Sequence, residues 1–327
     1  MLKQWLIWFT NISMSKSSSP AGKTAVFLMA HGAPTSVNDI PLYLKNIRGG
    51  TDSSPEVIQI IQERYEAIGG SSPLLEITKV QAKELEKFLN QTGDNFKVYI
   101  GMRNWAPYIQ DVVNQMLEDG VEKILALCLA PQYSTWSTKL YFKAFNDALE
   151  KNLKGELPPV QLIGSWANQP SLIDAFVEKY NIAMDKINSL GYEQVHTVFT
   201  IHSIPAESLE LGDFYDKEYD STVKAIVERI KPYRWYQAYQ SQGMIPVPWL
   251  GPTVESVLDR IAKIGSKPVL IVPVGFVSDH VEILYDIDIE FSEYARSKNL
   301  KLFRTESLNN SPLFTEALAS VVWEHLV

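Results

Sequence analysis

Short apolar runs alternate with longer amphipathic segments along most of this 327-residue chain. Apolar runs that are flanked by segments of helical period are typical of parallel strands buried on both faces of a sheet. Repeated strand, helix, strand units with right-handed crossovers build a doubly wound α/β sheet. The pattern predicts eight strands, at 25–29, 97–100, 123–129, 160–163, 197–201, 235–239, 269–274 and 301–304. It predicts helices between them, among others at 81–90, 108–118, 172–189, 218–230 and 254–264.

The two halves of the chain resemble each other at their first predicted strands. The first strand ends in FLMAHGAP and the fifth in VFTIHSIP, so a histidine and then a proline follow a buried strand in each half. Because the chain is about twice the usual domain length, we predict an α/β protein of two Rossmann-like lobes, each with a four-stranded parallel sheet flanked by helices. We place the lobes at 21–170 and 171–327, and residues 1–20 in a disordered or peripheral N-terminal extension.

His31 and His202 are the histidines that follow these two strands. In open α/β sheets a ligand binds outside the carboxyl ends of the strands, so both side chains are expected to face a cleft between the lobes. We predict the active site there. A histidine in this position can also simply cap its strand by bonding to nearby backbone, and for either histidine alone that alternative stays open.

A second chemical feature is the acidic segment PVGFVSDHVEILYDIDIE. It predicts the end of a buried strand, a turn at Gly275 and a helix that begins near Ser278 and Asp279, both favourable N-cap residues. The face of this helix that packs inward is predicted to hold Val281, Leu284 and Ile287.

Three acids, Glu282, Asp286 and Glu290, fall at i, i+4 and i+8 on one face of this helix. Like charges at this spacing destabilise a helix by a few tenths of a kcal/mol per pair, and no lysine or arginine within the segment offsets them. They indicate a path for a hydrated divalent ion, with Glu282 nearest the cleft. Without a cysteine cluster, histidine and glutamate fit a transient metal site better than a closed structural zinc site. A solvated acidic face is the alternative.

Composition excludes several other classes of function. The net charge of −8 argues against binding to nucleic acid, whose affinity depends on lysine and arginine. Cys128, the single cysteine, lies in the apolar run KILALCLA and is expected to be buried, in a protein of a reducing compartment. The apolar stretch near the first residue is shorter than the roughly 20 residues of a membrane-spanning helix, which leaves at most a peripheral membrane contact. No Walker A, GxSxG or GxGxxG pattern occurs where a strand meets a helix.

Seven phrases then follow in order: AHGAP at 30–34, RYEAIGGSSPL at 64–74, YIGMRNWAPYI at 99–109, LAPQYSTWS at 129–137, HSIP at 202–205, PWLGP at 248–252 and GFVSDHVEILYDIDIE at 275–290. Together they make the chain resemble the ferrochelatase family from about residue 24 to its C-terminus. The resemblance implies a chelatase-like two-lobed fold. It also implies a lyase of haem biosynthesis that inserts Fe²⁺ into a porphyrin.

The resemblance implies roles for individual residues. His202 matches the metal-proximal histidine and Glu282 its acidic partner across the porphyrin, so the two are the expected catalytic pair and metal ligands. Asp286 and Glu290 match outer metal-binding acids. With an ordinary pKa near ~6.5, His202 can accept a pyrrole proton, and a role as first iron ligand stays open. Porphyrin contacts are implied at His31, Arg48, Arg64, Tyr65, Ser72, Tyr141 and Trp249.

The sequence departs from the family pattern in two places. At His31, relatives that use coproporphyrin often have a tyrosine that approaches the metal from the other side, so the role of His31 stays open. No C-terminal cysteine cluster is present, and an iron–sulfur centre is therefore not expected. We expect no permanently bound cofactor, with Fe²⁺ and a porphyrin as substrates, and a monomeric cytoplasmic enzyme.

Two segments disagree about the porphyrin. The short polar loop NIRGGTDSSPEV favours the tetracarboxylate coproporphyrin III, whereas RTESLNNSPLF resembles the branch that uses protoporphyrin IX. We predict coproporphyrin III, with a protoporphyrin IX ferrochelatase as the alternative. A cobalt or nickel chelatase for a sirohydrochlorin-like ring and a non-enzymatic haem or porphyrin carrier are further alternatives.

Overall fold

The computed structural model describes residues 22–152, 156–243, 245–265 and 268–326, so the predicted extension at 1–20 lies outside the described residues. All eight predicted strands are present and pair only in parallel, in two sheets of four. The first sheet contains β1 (Thr24–Ala30), β2 (Phe96–Met102), β3 (Lys123–Cys128) and β4 (Val160–Ile163). The second contains β5 (His196–His202), β6 (Arg234–Gln240), β7 (Pro268–Pro273) and β8 (Lys301–Arg304).

The strand order creates the same crevice in both lobes. The orders are β2-β1-β3-β4 and β6-β5-β7-β8, so the chain leaves β1 and β5 toward one side and later returns on the other. Such a switch point opens a ligand crevice at the carboxyl end of the strand. His31 directly follows β1 and His202 is the last residue of β5. The predicted two-lobed fold is therefore confirmed, together with the equivalent placement of the two histidines.

Helices cover both sheets. In the first lobe they are α1 (Ile40–Ile47), α2 (Pro55–Ala67), α3 (Leu74–Leu89), α4 (Ile109–Glu118) and α5 (Thr138–Lys151). They continue with α6 (Pro170–Ser189), α7 (Glu207–Glu210), α8 (Tyr215–Ile230), α9 (Val254–Ile264), α10 (Val281–Leu284), α11 (Ser292–Ser297) and α12 (Pro312–Glu324). A π-helical turn over Asp286–Phe291 joins α10 to α11.

Helix α3 begins at Leu74, seven residues before the predicted start. The prediction started too late because the buried face of this helix includes two polar residues. Thr78 donates its hydroxyl hydrogen to the carbonyl of Leu74 at 2.7 Å, which satisfies it inside the helix. The amide of Gln81 donates to the hydroxyl of Ser278 at 2.8 Å and to the carbonyl of Asn309 at 2.7 Å. Thr78 interrupts the apolar pattern in the part of the helix that the prediction missed, and Gln81 bonds to the other lobe.

The helix after β7 begins later than predicted. Ser278 and Asp279 do not cap it, and α10 begins at Val281. The Asp279 carboxylate instead accepts hydrogen bonds from Ser307 at 2.7 Å and Asn309 at 2.8 Å. The predicted inward face is also wrong in part, since Ile283 and Ile287 are the fully buried residues of this segment and pack over β7, whereas Val281 and Leu284 are half-buried.

One hydrophobic core extends through both lobes. It includes Leu28 and Leu127 from the first sheet and Phe199 and Val272 from the second. Helix α12 at the end of the chain packs against α3 as well as α6. The predicted boundary between 170 and 171 stays a prediction, because the last helix of the chain returns to the first lobe. Cys128 is buried in the core on the other face of the first sheet, as expected. None of the helices in the described part of the chain is both long and apolar enough to cross a bilayer.

A buried carboxylate ties the loop after β3 to the second lobe. Asp213 lies between α7 and α8 and accepts hydrogen bonds from the hydroxyls of Ser134 at 3.1 Å and Thr135 at 2.7 Å. It also accepts from the backbone N–H of Thr135 at 2.7 Å and of Tyr215 at 3.0 Å. The donors of Ser134 and Tyr215 would be buried without a partner if the carboxylate were removed, and those of Thr135 would be partly buried without one.

We therefore expect Asp213→Ala to lower the free energy of unfolding by about 3 kcal/mol, since buried donors without partners cost about 1–3 kcal/mol each but relax in part. Urea unfolding followed by circular dichroism measures this. The matched control is Asp174→Ala, which removes an exposed ion pair with Arg229 and should change stability little. Equal effects of the two substitutions would contradict a role for Asp213 in joining the lobes.

Candidate active site

The cleft between the lobes contains a cavity of about 440 Å³. His31 and Tyr141 line it from the first lobe, and His202 and Glu282 line it from the second. The two histidines reach it from equivalent strand ends, as the sequence predicted. Most of its remaining wall is apolar or aromatic, which suits a flat hydrophobic ligand with few polar groups.

The ring of His202 is held in a defined tautomer. Its Nδ1 lies against the backbone carbonyl of Ser203, and because a carbonyl only accepts, Nδ1 must be the nitrogen that donates. In the neutral ring the lone pair is then on Nε2, which lies 3.4 Å from a carboxylate oxygen of Glu282. Two lone pairs at this distance repel each other unless a proton or a cation lies between them. The pair is therefore a natural site for either one.

Glu282 has a second histidine on its other oxygen. His280 Nε2 lies 3.3 Å from Glu282 Oε2, and His280 Nδ1 lies 3.0 Å from the carbonyl of Ser278. Burial alone would raise the pKa of Glu282, but the charges and hydrogen bonds of His202 and His280 hold it well below its usual value. Burial alone would lower the pKa of His202, but Glu282 raises it above 6.5. A shared proton therefore resides on the histidine.

The distance between His202 and Glu282 corrects one expectation. A planar ring placed between them would need roughly 7 Å, twice the usual contact distance of about 3.5 Å between carbon atoms. The observed 3.4 Å leaves no space for it, so the two residues cannot lie across a porphyrin from each other. They line the same wall of the cavity and can act only on one face of a bound ring.

His31 lies on the opposite wall. The amide of Asn104 contacts its ring nitrogens at 3.1 and 3.3 Å, and Tyr43 packs edge-on against it. Its side chain is open to the cavity but lies deep between the lobes, and this desolvation lowers its pKa to about 4. His31 is therefore neutral near pH 7.

The three acids Glu282, Asp286 and Glu290, called the acidic ladder below, lead from this cavity into a second one of about 190 Å³. Asp286 is buried, and its carboxylate accepts a hydrogen bond from Ser241 at 2.5 Å. Arg64 lies 3.5 Å from Asp286 and 3.9 Å from Glu290, and all three line the second cavity. Burial and the negative charge of Glu282 raise the pKa of Asp286 to about 6, against the opposing effects of Ser241 and Arg64.

The other predicted porphyrin contacts separate into two groups. Tyr65, Tyr141 and Trp249 line the main cavity, and burial raises the pKa of both tyrosines, so they stay neutral. Arg48 and Ser72 are not among the described residues that line it. Arg48 is exposed and donates to Ser53 at 3.2 Å, and the Ser72 hydroxyl accepts from the N–H of Leu74 at 3.3 Å.

Among the polar residues of the main cavity that sequence reasoning missed are Tyr43, Arg103 and His280. His280 stands two residues before Glu282, but the predicted helical spacing directed attention to positions four apart. Within the described ranges no three histidine, cysteine, aspartate or glutamate side chains converge closely enough to hold a metal ion. His202 and Glu282 can therefore hold a divalent ion only if another molecule supplies further donors.

Comparisons with known proteins agree with this geometry. A family model described as Ferrochelatase covers residues 23–326. A ferrochelatase from Deinococcus radiodurans is 38% identical over 299 residues, which are 91% of this chain and 94% of that protein. A coproporphyrin III ferrochelatase from Geobacillus sp. (strain WCH70) is 36% identical over 307 residues, or 93% and 98% of the two chains.

The sirohydrochlorin chelatase SirB from Bacillus subtilis subspecies spizizenii, solved in complex with cobalt, superposes with a TM-score of 0.55. The superposition covers 93% of this chain and 95% of SirB at 9% identity, which shows a shared fold alone. The family model spans nearly all described residues, and its name agrees with that of close relatives over nine-tenths of the chain. This chain belongs to the ferrochelatase family.

Proposed function

We propose that this protein inserts Fe²⁺ into coproporphyrin III, with the ring bound in the main cavity. The proposal rests on one observation: Nε2 of His202 and a carboxylate oxygen of Glu282 face each other at 3.4 Å. Both atoms carry lone pairs, so a proton or a cation must lie between them. Metal insertion requires both species at one place, because two pyrrole protons leave the ring as the metal arrives. The four ring nitrogens would supply the donors that the protein lacks.

In this proposal the resting proton leaves His202 first, and Nε2 of the neutral ring then accepts a pyrrole proton, since Nδ1 is engaged with Ser203. Glu282 stays ionised, stabilises the resulting imidazolium and contacts the incoming ion. His280 on the second oxygen of Glu282 offers the next position for a proton. His31 faces the ring from the other side with a neutral nitrogen.

Asp286 and Glu290 are proposed to bind Fe²⁺ before it reaches the ring. Asp286 is near enough to Glu282 for their charges to interact, and it opens into the second cavity with Glu290. Oxygen ligands of this kind suit a hydrated divalent ion. Arg64 neutralises part of this charge in the absence of metal, so its predicted contact with the porphyrin stays a prediction.

Three observations favour coproporphyrin III over protoporphyrin IX. The stretch at 304–314, which resembled the protoporphyrin branch, contributes no described residue to the main cavity; its Ser307 and Asn309 support Asp279 instead. The loop between α1 and α2 is exposed and polar and bears Arg48, and a short polar loop suits acidic ring substituents better than vinyl groups. Several relatives at 34–37% identity are named coproporphyrin III ferrochelatase.

A steady-state assay with Fe²⁺ and each porphyrin tests this function. We expect kcat/KM for coproporphyrin III to exceed that for protoporphyrin IX about tenfold or more, because one additional charge-assisted contact contributes roughly 1.5–3 kcal/mol. His202→Ala should bind the porphyrin normally and lose at least about 100-fold in turnover, as expected for loss of a general base. A preference for protoporphyrin IX would contradict the substrate, and tight binding without turnover in the wild type would identify a carrier.

The acids should differ in their kinetic effects. Glu282→Gln should lower kcat, whereas Asp286→Asn with Glu290→Gln should raise the KM for Fe²⁺ and change kcat little. In the wild type, the KM for Fe²⁺ should fall as the pH rises through about 6, since Asp286 then ionises. Glu293→Gln is the matched control, because Glu293 is an exposed acid of the same segment that lines neither cavity. Equal modest losses in all variants would show a solvated acidic face.

A further inference from the structure

The main cavity contains one cation that no residue of the site neutralises. Of the described residues that line it, Arg103 is the only lysine or arginine and Glu282 the only acid. Glu282 is already engaged by His202 and His280. The cavity therefore has a negative wall whose charge is balanced and a positive wall whose charge is not.

The backbone fixes the position of Arg103. It directly follows β2, and its N–H donates to the carbonyl of Ala30 at 3.0 Å. The N–H of the next residue, Asn104, donates to the carbonyl of His31 at 3.0 Å. Trp105 then packs on Gly32, where an added Cβ would lie 2.9 Å from the Trp105 nitrogen. The turn that bears Arg103 is thus locked to the turn that bears His31.

The guanidinium of Arg103 has no hydrogen-bond or ion-pair partner anywhere in the described part of the chain. Other arginines in this structure have one: Arg64 contacts Asp286 and Glu290, and Arg304 contacts Asp279 and Asp288. Arg103 is half-buried and faces a wall that is mostly apolar. A cation in such surroundings is unfavourable until an anion reaches it, and a carboxylate matches the guanidinium in two-point geometry.

The arginines expected to bind carboxylates are placed less well for this task. Arg48 is exposed outside the main cavity, and Arg64 is engaged by acids of the second cavity. Arg103 alone of the three lies inside the main cavity and lacks a counter-ion.

We infer that Arg103 binds a carboxylate of the porphyrin inside the cleft and so selects rings with acidic substituents. The inference rests on the proposed function for the identity of the ligand. It makes Arg103 a specificity-determining residue on the wall opposite Glu282.

Fluorescence titration of the full chain with metal-free coproporphyrin III tests this assignment. Arg103→Gln should weaken binding about tenfold or more, because it removes a charge-assisted contact. Arg103→Lys should recover part of the loss, and Arg296→Gln, at an exposed arginine of α11, should change nothing. With coproporphyrin III tetramethyl ester in non-ionic detergent, Arg103→Gln should bind as the wild type does.

Two results would overturn the inference: unchanged binding of coproporphyrin III by Arg103→Gln, or an equal loss for the ester. A Lys variant with native circular dichroism keeps the test valid if the Gln variant does not fold. Failure of the proposed function has a different signature, since the wild type would then bind the ring but not insert Fe²⁺, and the carboxylate contact would still be measured.

Discussion

The opposition of two lone pairs, one on Nε2 of His202 and one on the carboxylate of Glu282, is the constraint on which the rest of this structure depends. At 3.4 Å the two groups repel each other unless a proton or a cation lies between them. The folded protein holds a proton there by raising the pKa of His202 above its usual value. Only after that proton has left can Nε2 accept a pyrrole proton or the pair receive a metal ion, so the pair links the proton movement and the metal movement that insertion requires.

The fold keeps this pair in place from several sides. Backbone carbonyls of Ser203 and Ser278 fix the tautomers of the two histidines that flank Glu282. Gln81 reaches from the first lobe to Ser278, and one hydrophobic core joins the two sheets. Because the lobes share this core, the cleft is already formed before a ligand binds, and the donors need little reorganisation during the reaction.

Much of this architecture could be predicted from sequence, because parallel strands buried on both faces leave continuous apolar runs. The predicted strands also placed His31 and His202 at the cleft, because the carboxyl ends of parallel strands lie at one edge of a sheet. Most of what escaped prediction depends on contacts between distant segments. Nothing local marks Arg103 as unpaired, or shows that Arg64 meets the acidic ladder rather than the main cavity. The early start of α3 has a local cause, because Thr78 in its first turns is polar yet buried, with its hydroxyl bonded inside the helix.

The most direct test is the pKa of the His202 ring, measured by NMR titration of the histidine side chains in the wild type and in Glu282→Gln. The account predicts a value above 6.5 in the wild type. It predicts a lower value in the variant, where burial still disfavours the charged ring and the carboxylate no longer opposes it. An identical pKa in the two proteins would show that Glu282 does not control the proton on His202, and would contradict the account.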